Sequence, residues 1–303
     1  MSAVILLVKQ VLVMFLLSAV GYVMFKTGKI TLDGNKSIGN ILIYLSLPCV
    51  IINGFRVERS VESVHALLLS ALLAALALGI SLVLSRLVFH ENPVSTFAST
   101  FPNPGFFGVP LIVEVLGEES VFYVAAFIAF VNLLQWTYGV SLFSTEKKKI
   151  TLKDVFTAPF MIAILIGLFL FFTQIPLPDI VSRSVGFIAG LNTPLAMFTI
   201  GVYAAQTDML AMFRKKELYR IALIRQVIVP MLAVIVFAFL GEDIGMVKTA
   251  VLIAIACPVG SNVAVYAQLH GADYSYAVET VVVSTLTSVV TLPLILMAMS
   301  MLA

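Results

Sequence analysis

Ser99-Thr100-Phe101-Pro102-Asn103-Pro104-Gly105-Phe106-Phe107-Gly108-Val109-Pro110 lies inside an apolar stretch long enough to cross a bilayer. A proline has no N–H and strips an upstream carbonyl of its helical partner. In hydrocarbon, groups freed this way must be satisfied by protein, water or a bound solute. Asn103 both donates and accepts, so it can take up freed backbone groups or grip a carboxylate. Gly105 and Gly108 allow the backbone to be approached closely. A second interruption follows at Ala256-Cys257-Pro258-Val259-Gly260-Ser261-Asn262, where Gly260, Ser261 and Asn262 offer similar chemistry. Split at its proline, neither half of such a span crosses alone. A helix C-terminus and a helix N-terminus are then exposed at mid-depth, and the N-terminal end favours an anion. For either proline alone, a kink that only shapes packing is the simpler reading. Two interruptions at corresponding places in two halves of a chain point instead to a transporter site. Pro102 and Pro258 are therefore read as the crossover. Asn103, Pro104, Gly105, Gly260, Ser261 and Asn262 are read as substrate-binding.

Composition sets the class around this motif. The 303 residues are 61% apolar and 11% charged, against about 25% charge in a soluble domain. This is an integral membrane protein. A formal charge of +2 gives no reason to expect a nucleic-acid partner. Cys49 and Cys257 fall in apolar spans beside prolines and are read as buried small hydrophobes, not a disulfide. The first apolar run, 4–25, is long enough to span and is followed by further spans, so it is read as an anchor and not a cleaved signal. His65, His90 and His270 lie near span ends with no metal-like spacing; no metal or cofactor is expected.

Ten apolar segments approach or exceed the roughly 20 residues a bilayer requires: 4–25, 37–55, 64–89, 93–116, 120–144, 153–173, 179–205, 217–240, 246–269 and 273–300. The expected fold is an all-α polytopic membrane protein with ten transmembrane helices. Odd-numbered loops hold twelve Lys and Arg residues, even-numbered loops four. The positive-inside rule then puts odd loops in the cytoplasm and both termini outside. The run at 147–149 needs no role beyond topology. Pro48 in Leu45-Ser46-Leu47-Pro48 matches Pro194 in Leu191-Asn192-Thr193-Pro194, and Pro102 matches Pro258, at offsets of 146 and 156. This fits two five-helix repeats, 1–144 and 153–303. Because five is odd, the second is inverted, and the broken helices are the fourth and ninth.

Other polar residues sit within the spans. Arg225 lies about eight residues into its segment, roughly 12 Å deep at 1.5 Å per residue. An arginine at that depth is costly and usually partnered. It either draws an anion into the site, snorkels to the cytoplasmic face, or pairs with a helix end. Asn132 and Gln135 are three apart on one helical face; they either line the site or make interhelical hydrogen bonds, and with Arg225 both are counted among the substrate-binding residues. Thr280, Ser284, Thr287, Ser288 and Thr291 form a stripe read as a packing seam. Glu114 and Glu279 are read as interfacial, with a proton-carrying role as the alternative.

Phe101-Pro102-Asn103 followed by Gly108-Val109-Pro110-Leu111 resembles the crossover motif of the auxin efflux carrier family, which includes plant PIN proteins and bacterial permeases. Tyr44-Leu45-Ser46-Leu47-Pro48, Asn132-Leu133-Leu134-Gln135-Trp136-Thr137-Tyr138-Gly139 and the run 258–267 are similar to it as well, so the resemblance covers nearly the whole chain. It implies the inverted-repeat fold shared with bile-acid symporters and NhaA-like antiporters. It further implies a scaffold of 1–55 and 153–205 and a moving transport domain of 64–144 and 217–303. Implied substrates are small organic anions such as malate, malonate or auxin-like acids. The resemblance also implies a homodimer through the second and seventh spans. The short central loop, 144–153, favours the bacterial type in the cell membrane.

A secondary carrier of organic anions is therefore the leading function, with an anion channel or a non-transporting sensor as the alternatives. No P-loop is present. No mid-span aspartate pair, His-Glu-x-x-His or Gly-x-Ser-x-Gly supports an intramembrane hydrolase, so no enzymatic activity is expected.

Overall fold

A computed structural model describes residues 3–143, 156–240 and 245–302. Among these residues the regular structure is helical, apart from one antiparallel bridge between Pro102 and Val259. In chain order the helices are α1 (Ala3–Lys26), α2 (Leu32–Gly54), α3 (Val61–Phe89), α4 (Pro93–Thr100), α5 (Pro104–Leu116) and α6 (Glu118–Phe143). They continue as α7 (Pro159–Thr173), α8 (Asp179–Gln206), α9 (Lys216–Ala238), α10 (Gly245–Ala256), α11 (Asn262–Leu269) and α12 (Tyr274–Leu302). Seven of them, α1, α2, α3, α6, α8, α9 and α12, are long and apolar enough to cross a membrane. The three other expected spans behave differently. Segment 93–116 is divided into α4 and α5, and segment 246–269 into α10 and α11. Segment 153–173 is described as the 15-residue α7. The basic run at 147–149 and the central loop around it lie outside the described residues.

Local chemistry sets the helix limits. Thr31 Oγ1 accepts from the Gly34 amide at 3.0 Å and starts α2. Ser60 and Ser63 form a reciprocal capping box at the head of α3, satisfying two orphan donors. Asn92 Oδ1 accepts from the Ser95 amide at 3.1 Å, with Pro93 in the first turn of α4, where its missing N–H costs nothing. Gly117, at φ +91°, separates α5 from α6.

Four π-helical turns interrupt the helices among the described residues: Leu42–Ser46, Pro104–Gly108, Gln135–Gly139 and Ile224–Ile228. Three end two residues before a proline, namely Pro48, Pro110 and Pro230. A proline ring clashes with the carbonyl four residues back and cannot bond to it. Widening the preceding turn by one residue moves that carbonyl aside, which accounts for the coincidence.

Close packing uses small residues. A Cβ on Gly21 of α1 would strike the Phe198 backbone, and one on Gly201 of α8 would strike the Ser18 backbone. These two helices thus approach through glycine, the usual means of tight contact in lipid. Helix α3 lies against α6, α9 and α10. Its inward face carries Ala74, Ala77, Ser81 and Ser85, all buried.

Candidate functional site: the helix crossing

The two interruptions meet. The Asn103 amide donates to the Pro258 carbonyl at 2.9 Å, and the Gly260 amide donates to the Phe101 carbonyl at 2.9 Å. Between these bonds Pro102 faces Val259. The Val259 amide donates to Ser284 Oγ at 3.0 Å. Pro102, Pro104 and Pro258 have no N–H, so much of the unwound backbone is satisfied by the opposite break and α12. A Cβ on Gly260 would lie 2.9 Å from the Pro102 carbonyl oxygen and 3.3 Å from that of Phe101. Both are backbone atoms with little room to yield, so glycine is needed there for close approach.

Two helices begin on either side of this bridge. Asn103, 5% exposed, caps α5: its Oδ1 accepts from the Phe106 amide at 3.3 Å. Its carbonyl accepts from Phe107 and Gly108. Its Nδ2 makes no hydrogen bond among the described residues. Pro104 and Gly105 are buried beside it, and a Cβ on Gly105 would sit 3.0 Å from Leu47 Cδ1 of α2. At the head of α11, Ser261 and Asn262 are half-buried. Asn262 Nδ2 donates to Gln135 Oε1 at 2.7 Å, which draws α6 into the crossing. The amides of Gly105, Ser261 and Asn262 make no hydrogen bond among the described residues. They are the orphan donors of two helix N-termini.

Arg225 serves the opposite helix ends. It is fully buried, on the π turn of α9. Nη1 donates to the Thr100 carbonyl at 2.7 Å, the Ser99 carbonyl at 3.3 Å and Ser81 Oγ at 2.8 Å. Nη2 donates to the Ile255 carbonyl. One guanidinium therefore bonds carbonyls at the C-termini of α4 and α10, where helix dipoles leave partial negative charge. Of the sequence-derived set, Asn103, Gln135, Asn262 and the Pro102, Pro258 and Gly260 backbone come together, with Arg225 behind them. Asn132 does not join them, since its Nδ2 turns back to the Ile128 carbonyl of its own helix at 2.8 Å.

Sequence reasoning missed several contributors. Gln226, beside Arg225 and fully buried, donates to the Ser284 carbonyl at 2.8 Å and accepts from Thr287 Oγ1 at 2.6 Å. Ser284, assigned above to a packing seam, thus reaches the crossing itself. Asn192 on α8 donates through Nδ2 to the Gly105 carbonyl at 2.9 Å. The sequence carries a signal for it, since it occupies the place of Ser46 in the two matched proline segments. Glu279, expected at an interface, is buried, and Lys215 Nζ donates to it at 2.6 and 2.7 Å.

Apolar helices enclosing two broken, crossed helices define a multi-pass membrane transporter. The chain belongs to the auxin efflux carrier family: the family model described as membrane transport protein matches residues 6–296. It is similar to a candidate malonate transporter of Rhizobium meliloti, 26% identical over 270 residues, 84% of this chain and 83% of that protein. It is also similar to an uncharacterized transporter of Methanocaldococcus jannaschii, 26% identical over 209 residues, 63% of this chain and 67% of that protein.

Proposed function

We propose that this transporter is a secondary carrier of small organic anions, with carboxylates such as malonate and malate as the first substrates to test. One observation carries the reading. Two helix N-termini flank the bridge with unbonded amides at Gly105, Ser261 and Asn262 and an unbonded Asn103 Nδ2, while Arg225 takes up the two opposing C-termini. The crossing therefore offers donors without acceptor partners, which suits an anion. The malonate label of the Rhizobium relative agrees with this class.

In this reading the chain forms ten spans in two inverted repeats, 1–144 and 153–303. The unit 64–144 with 217–303 moves in elevator fashion against a scaffold of 1–55 with 153–205. Asn103, Pro104, Gly105, Gln135, Gly260, Ser261 and Asn262 form the site. Asn132, whose amide turns back to the Ile128 carbonyl, stays outside it, and Arg225 braces it from behind without touching substrate. Both termini face outward in the cell membrane, and two copies associate through α2 and α8. The first half of α8, residues 179–190, supports that association: it has no buried residue, and Gly186 and Gly190 are open to neighbours.

The test is ligand-induced stabilisation of the purified protein, followed by counterflow in proteoliposomes. A carboxylate at 100 times its Kd should add about 2.7 kcal/mol. Asn103→Ala should weaken that stabilisation tenfold or more in ligand concentration, with a small change in the ligand-free melting temperature. Undiminished binding by Asn103→Ala would move the site elsewhere. Flux without counterflow would favour a channel.

A further inference from the structure

Asn192 belongs to α8, outside the broken helices, yet it is the side chain from that helix that reaches the crossing. It is 2% exposed, and its Nδ2 donates to the Gly105 carbonyl at 2.9 Å. A carbonyl only accepts, so the atom facing it must be the amide nitrogen, and this fixes the orientation of the side chain. Asn192 Oδ1 is then the free end. It is buried and has no hydrogen-bond partner. Buried polar atoms are nearly always bonded, and an orphan calls for an explanation. Gly105 is two residues from Asn103 and carries one of the unbonded amides. The orphan acceptor therefore belongs to a side chain bonded to the residue that carries one of the orphan donors, across the contact between α8 and α5.

We propose that Asn192 completes the substrate site from the α8 side and selects for a donor on the substrate. This rests on the carrier reading above and sharpens it. The unbonded amides suit the carboxylate of an organic acid. Oδ1 can only accept, and a second bare carboxylate oxygen brought against it would set lone pair against lone pair. An O–H or N–H beside the carboxylate would instead satisfy it. The favoured class is therefore an acid bearing a hydroxyl or amide next to its carboxylate, ahead of the unsubstituted diacid. The position of Asn192 makes this selection sensitive to conformation. The Gly105 contact joins α8 to α5, so the acceptor is presented only while those helices keep this register.

The test uses the full-length purified protein and three ligands of similar size: malonate, hydroxymalonate and malonamate. Hydroxymalonate supplies an O–H and malonamate an N–H, and malonate supplies neither when fully ionised. The parent should bind each donor-bearing ligand about tenfold more tightly than malonate, the effect expected when a buried acceptor gains its partner. A gain with hydroxymalonate alone identifies a hydroxyl acid, and a gain with malonamate alone identifies an amide. Asn192→Ala should bring all three to equal affinity, whereas Asn103→Ala should weaken all three and keep their order. Equal binding of the three ligands to the parent overturns the inference and leaves the carrier reading standing. Binding of none overturns both. The comparison within the parent decides the matter even if Asn192→Ala does not fold, and Asn192→Ser, which retains an acceptor oxygen, should then keep part of the preference.

Discussion

Arg225 shows what a single buried charge does for two helix ends. Its two terminal nitrogens bond carbonyls from α4 and α10, and the nearer of these lies 30 residues away in sequence. Removing the guanidinium would leave those carbonyls unpaired at mid-depth and would remove the charge opposite two helix C-termini. Hydrogen bonds to charged groups contribute about 1.5–3 kcal/mol each, and strandings of this kind cost a comparable amount. Arg225→Gln should therefore lower the ligand-free stability by roughly 2–5 kcal/mol. Arg225→Lys should fall between, because one ammonium cannot span both carbonyl sets. Melting followed by size-exclusion after heating measures both. A glutamine variant that melts like the parent but no longer binds carboxylates would put Arg225 on the substrate instead. The sequence exposed Arg225 as an intramembrane charge and left three roles open, since carbonyls at 99–100 and 255 leave no mark in the local pattern around 225. Asn103 and Asn262 were easier to find. Each adjoins or nearly adjoins a proline in an apolar run, and that chemistry is local.

At the scale of elements, the breaks and the π turns are two responses to proline. At Pro48, Pro110 and Pro230 the helix absorbs the lost bond by widening one turn. At Pro102 and Pro258 it opens fully, because the opposite break supplies partners. Local sequence does not distinguish the two outcomes: the partner of Phe101 is Gly260, 159 residues on. The π turns themselves were not legible, although a proline two residues past each of three is a usable signal. Gly260 is a tight point of the crossing whose two nearest neighbours are backbone oxygens. Gly260→Ala should displace the Pro102 and Phe101 carbonyls, cost about 1–3 kcal/mol as overpacking does, and depress transport. Gly79→Ala is the control. A Cβ there meets nothing within 4 Å, and alanine exceeds glycine in helix propensity by about 1 kcal/mol. It should be neutral or stabilising in the same melting assay, with transport retained. An unchanged Gly260→Ala protein would mean that the bridge is loose.

For the whole molecule, apolar length and composition announced a multi-pass helical protein, and seven helices long and apolar enough to cross a membrane bear that out. Of the 153–173 segment, 153–155 lie outside the described residues, and Pro159–Thr173 forms α7. The two-repeat scheme predicts that cysteines placed in the 26–36 and 206–220 loops are shielded from impermeant thiol reagents added outside intact cells; labelling there would invert the orientation. It also predicts dimer mass in lipid discs, weakened by bulky residues at Gly186 and Gly190; monomer in every mild detergent and disc would remove the dimer. The Pro102–Val259 bridge bears on the time domain as well. It fastens residues from opposite halves of the chain through two backbone bonds, and Ser284 Oγ holds the Val259 amide between them, so the amides of Asn103, Val259 and Gly260 should resist deuterium as a set despite lying outside any helix. If the crossing travels as one rigid body, their exchange will be equally slow with and without bound carboxylate, while amides at the α8–α5 contact will change. Faster exchange of the set during turnover would mean that the crossing itself opens and closes in each cycle.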